Sequence, residues 1–191
     1  MGNFINSAVD AYARTQVALK ALLGGDPAQD FTAKKLTAAD TITPHSTKGI
    51  VGTTSNDAAQ AGSVGEYISS AVASTAVNLT TSTPVSLTSI SLSAGDWDVC
   101  GMVIFAPNIT TFLDSVAMCI SAASSSMAEI DTQGASLLPG VATGIVGRIR
   151  IASPVSRISL AAPATIYLNA TSTFSVSTET AGGIIRARRV R

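Results

Sequence analysis

The chain has 191 residues, of which 46% are apolar and only 13% charged, with formal net charge zero. That composition excludes disorder, which needs little hydrophobicity and much charge; two cysteines exclude a disulfide-stapled miniprotein. The signs are unevenly placed: residues 1–131 carry 5 basic and 11 acidic side chains (−6), and residues 132–191 carry 7 and 1 (+6). So little charge, with Ser and Thr supplying much of the polarity, predicts a chain that associates rather than a solitary soluble particle.

In chain order, residues 3–23 predict a helix. Ile5, Ala8, Val9, Tyr12, Leu19, Leu22 and Leu23 recur at three- and four-residue steps, and Gly24-Gly25 with Pro27 ends the pattern. The segment has no basic leader and is broken by Asp10, Arg14 and Lys20, so it does not have the form of a secretory signal. A helix this short is marginal alone, so its apolar stripe must bury against something. Phe4, Ile5, Val9, Tyr12, Leu19 and Leu22 are the candidate anchoring residues. Residues 24–65, rich in Gly, Thr, Ala and Asp, predict an extended connector. Residues 66–74 predict a short helix with Tyr67, Ile68, Ala71 and Val72 on one side.

From residue 77 the period becomes two. Trp97, Val99, Gly101, Val103 and Phe105 alternate along one stretch; Phe112, then Val116, Met118 and Ile120, along the next. Residues 123–143 predict a long loop. Three further β stretches follow, with punctuation at Ala94-Gly95, Pro107-Asn108, Pro139-Gly140, Ser153-Pro154, Ala162-Pro163 and Gly182-Gly183. Short strands at this spacing predict an antiparallel β-sandwich or jelly roll over residues 66–191. The candidate trimer or domain core is Trp97, Val99, Val103, Phe105, Phe112, Tyr167 and Phe174; Arg186, Arg188 and Arg189 form a candidate basic interface strand.

Catalytic chemistry is sparse. The one histidine, His45, falls in the connector and supplies neither a metal cluster nor a Ser–His relay. Gly62-x-x-Gly65 lacks the lysine and preceding strand of a phosphate loop. Asp96 and Asp98 share one side of a strand and serve as turn polarity better than as a catalytic pair. Glu129 and Asp131 have no third ligand nearby in sequence. Cys100 and Cys119 are read as two buried thiols, with a disulfide open only if their strands pair closely. No aromatic interleaves with the terminal arginines, which argues against nucleic acid as a partner. The longest apolar run, residues 99–106, is too short for a membrane span, so membrane insertion is not expected. No cofactor or enzyme activity is expected.

Three blocks carry a resemblance: TKGIVGTTSNDAAQAGSVGEYISSAVASTA (47–76), SLTSISLSAGDWDVCGMVIF, and the ending ATIYLNATSTFSVSTETAGGIIRARRVR. Together they resemble the C-terminal module of small tailed-bacteriophage fibre and virion structural proteins. The plan is similar, at fold level, to the trimeric tumour necrosis factor-like jelly roll, a likeness that says little about function. The resemblance implies a homotrimer in a virion assembled in the host cytoplasm, with other virion proteins of head, collar or tail as partners. It also implies that the glycosylation patterns at Asn78, Asn108 and Asn169 are unused. The expected role is a structural fibre or decoration protein; the alternative is an adhesion tip binding a bacterial surface glycan or protein. The chain's shortness and the lack of aromatics in residues 123–143 favour the former.

Overall fold

The computed structural model describes residues 58–138 and 147–191. Their main elements are nine β-strands and one helical turn. The strands are β1 (Tyr67–Asn78), β2 (Val85–Leu92), β3 (Gly95–Pro107), β4 (Phe112–Ser121), β5 (Gly134–Leu137), β6 (Ile149–Ala152), β7 (Ser156–Leu160), β8 (Ala164–Ser175) and β9 (Glu179–Arg189); α1 (Ile130–Gln133) precedes β5. All pairings are antiparallel. One sheet runs β1-β9-β3, with β6 and β7 sharing the far edge of β3; the other runs β2-β8-β4-β5. The anchoring residues Phe4 to Leu22, His45 and the Pro139-Gly140 signal lie outside the described residues.

Alternation decides which side chains enter the sandwich. From β3 these are Trp97, Val99, Val103 and Phe105; from β4, Leu113, Val116, Met118 and Ile120. Ile166, Leu168 and Ala170 of β8 and Ala181, Ile185 and Ala187 of β9 complete the core. Each large apolar side chain buried this way contributes roughly 1.5–3 kcal/mol.

Several expectations need correction. Residues 66–74 are not helical: β1 begins at Tyr67, and Ile68, Ser70, Val72 and Ser74 face inward at a period of two. The apolar spacing fitted a helix, but pairing with β9 satisfies the backbone and overrides it. Residues 123–143 are not simply a loop, because α1 and β5 fall within them. Gly182-Gly183 is not a turn but the middle of β9. A Cβ on Gly183 would lie 2.2 Å from the Met102 carbonyl oxygen, and one on Gly182 1.9 Å from that of Ala73. The glycines admit two neighbouring backbones.

Of the expected core aromatics, Trp97 and Phe105 are fully buried and Phe174 packs half-buried against the core edge. Tyr167 is half-buried on the outward-facing row of β8. Phe112 is 38% exposed: it directly precedes inward-facing Leu113 and pairs with Ser175, so alternation puts it on the outer row of β4.

Candidate interaction surface

The two outer faces differ. Beyond β4 and β8, the chain covers its own sheet: Ala117, Cys119 and Ser121, which point outward, are nonetheless buried. Asn169 pins the cover. Its amide nitrogen donates to the carbonyls of Ala123 and Ser126, both at 2.9 Å. Its amide oxygen accepts from Ser86 Oγ at 2.7 Å and from the Ser125 N–H at 3.1 Å.

No such cover lies over the outer face of the β1-β9-β3 sheet among the described residues. Cross-strand partners project to the same side, so register writes its rows. Ala71, Ile184, Met102 and Ala152 form an apolar row, with Ile104 in the next. Tyr67, Arg188, Asp98 and Arg157 form a charged row, and Arg186 stands opposite Cys100 between them. Arg150 is opposite Ile104 on the other side. The face is therefore an apolar band edged with arginines.

Arg189 does not belong to that face. It is one residue out of phase with Arg186 and Arg188 and points into the sandwich end, 5% exposed. Its Nε donates to Glu66 Oε2 at 2.9 Å and its Nη1 to the Ala94 carbonyl at 2.9 Å; Nη2 donates to Ser93 Oγ. The guanidinium lies 4.3 Å from the centroid of the Trp97 ring, and the Trp97 indole N–H donates to the Ser93 carbonyl at 3.0 Å. The Gly62 N–H, then Arg189, hold the Glu66 carboxyl below its usual range. Gly95, at φ +136°, leaves room for Arg189, whose Nη1 would be 2.1 Å from an added Cβ. This buried ionic cluster ties the end of β9 to the residues just before β1.

Asp96 and Asp98 do share one side, as the sequence implied, but in different settings. Asp96 is buried, with Arg157 Nη2 at 2.9 Å and Arg191 also against it. The Ser159 hydroxyl, then Arg157, hold its carboxyl down at about 2. Asp98 is exposed. Cys100 and Cys119 are free thiols on opposite outer faces, so their strands do not pair. Burial pushes the Cys119 thiol up. Among the described residues, no group of three His, Cys, Asp or Glu side chains is placed to hold a metal ion.

Sequence reasoning did not single out two features. One is an exposed apolar tip: Ile109 (60% exposed), Phe112 and Val176 (79%), gathered where the β3–β4 and β8–β9 turns meet through Asn108 N–H to Thr178 O at 3.0 Å. Val176 has φ +76°, a strained conformation for a β-branched residue. The other is Glu179, 1% exposed, with neither carboxyl oxygen hydrogen-bonded. Neither has a local sequence signal.

No known protein family matches the chain, and no curated protein matches it. Among solved structures it is similar to that of infectious bursal disease virus, Gx strain: 11% identity over 74% of this chain and 37% of that one, TM-score 0.36. It is also similar to the VP2 subviral particle of infectious bursal disease virus: 14% identity over 66% and 30%, TM-score 0.32. The chain thus spans about a third of the length of those chains. At these scores neither fold nor function follows from the likeness.

Proposed function

We propose that this chain is a non-enzymatic structural component of a tailed-bacteriophage virion. It is a short homotrimeric fibre or decoration protein attached to head, collar or tail through its N-terminal region. The observation that carries this reading is the contrast between the outer faces: over β4 and Asn169 the chain covers its own sheet, while the other sheet offers an apolar band edged with arginines. A face of that kind suits a protein that works by packing against neighbours. The AGDWDV turn and the terminal IIRARRVR, through their resemblance to phage modules, support the virion setting. The strand order, β1-β9-β3-β6 facing β2-β8-β4-β5, supports a jelly roll. Three anchoring segments on one trimer would add their contacts through effective concentration.

Gold labelling of the C terminus in intact particles tests this reading. Label on a head, collar or tail feature is expected, and label absent from all particles would refute it. Host adhesion is a second reading, favoured by the exposed tip of Ile109, Phe112 and Val176. Specific binding of the full chain to host cells, abolished by Ile109→Ser with Val176→Ser, would decide for it.

A further inference from the structure

We propose that the outer face of the β1-β9-β3 sheet docks head-to-tail onto the β4–β5 side of a second copy of this chain. The inference rests on the assembled reading above and names the two surfaces that meet.

Charge supplies the occupant. On the β1-β9-β3 face, Arg150, Arg186 and Arg188 are exposed, with Asp98 the one exposed acid among them; Arg157 is already tied to Asp96. The opposite side is acidic. Asp114 on β4 and Asp131 in α1 are exposed, Glu129 is half-buried beside α1, and residues 58–138 contain no lysine or arginine at all. Strand β8, in the middle of that sheet, carries no charged residue.

These signs discriminate between symmetries. A two-fold contact would set the same patch against itself and oppose Arg186 and Arg188 to their own copies, which like-charge repulsion disfavours. A head-to-tail contact sets arginines against aspartates and buries Ala71, Met102 and Ile184 between them. Head-to-tail contacts close into rings when the rotation permits, and a trimer is such a ring. Cys100, half-buried in the basic face, is a built-in reporter; Cys119, on the other side, is fully buried beneath its own chain.

The test uses the full chain, sedimentation and thiol alkylation. The natural chain is expected to sediment as a trimer with Cys100 slow to alkylate. Arg186→Glu with Arg188→Glu, and separately Asp114→Arg with Asp131→Arg, should each weaken association at least about tenfold, by charge repulsion. The first pair should also expose Cys100. All four residues are exposed, so the folded state survives, as circular dichroism would verify. All four changes in one chain should recover association, whereas mixing the two variants should not close a trimer, because a ring of three always sets two like copies together. Failure to recover overturns the named occupant. A trimer indifferent to either pair overturns the docking face while leaving the trimer intact, and a monomeric natural chain overturns both.

Discussion

Replacing Glu179 by glutamine removes the most costly ionisable group in the sandwich. The carboxyl is 1% exposed and neither oxygen has a hydrogen-bond partner. Burial pushes its pKa from 4.5 up to about 7 against a lowering influence of nearby Ser172, whose hydroxyl donates to the Ser115 carbonyl at 3.0 Å. A rise of that size corresponds to about 3 kcal/mol. The sign follows from proton linkage. Below pH about 4.5 the carboxyl is protonated in both states and costs nothing extra. As pH rises towards 7, the unfolded chain ionises while the folded chain holds its proton, so stability falls; above 7 the loss levels off. Glutamine is the isosteric stand-in for the protonated acid. The Glu179→Gln variant should therefore match the natural chain near pH 4.5 and exceed it by up to about 3 kcal/mol at pH 8. Denaturant titration followed by Trp97 fluorescence, at half-unit steps of pH, measures the difference, and referencing each point to the variant cancels other titrations. A difference that stays constant from pH 4.5 to 8 would refute the reasoning.

Further outcomes follow from the same geometry. Arg189→Ala leaves Glu66 buried without its cation and uncovers Trp97, so the melting temperature should fall by on the order of 10 °C, seen by calorimetry. Arg188→Ala, on the exposed face, should leave the domain's own unfolding within about 0.5 kcal/mol. Val176→Asn relieves a positive φ that asparagine tolerates and should raise stability by about 1 kcal/mol in denaturant titration. Cys119 should resist alkylating reagents until the chain unfolds, because it is buried and its thiolate is disfavoured; mass spectrometry of timed samples reads this directly.

The sequence by itself determined the predominantly β character of the described residues from 77 onward and most of the core. Trp97, Val99, Val103 and Phe105 alternate, and one face of a strand either meets the opposing sheet or meets water. It also determined the uneven placement of charge, because a local count needs no fold. Other features depended on contacts between residues far apart in the chain. Residues 66–74 carry a spacing that reads as a helix, and only pairing with β9, more than a hundred residues later, makes them a strand. Gly182-Gly183 has the composition of a turn, yet the approach of Ala73 and Met102 makes it the middle of a strand. The three adjacent sites Arg186, Arg188 and Arg189 look alike as a basic cluster, but strand phase sends two to the surface and one beneath Trp97. Phe112 and Glu179 show the same limit: strand phase sets the first on the outer row beside Ser175 and the fold entombs the second, relations that no window of sequence contains.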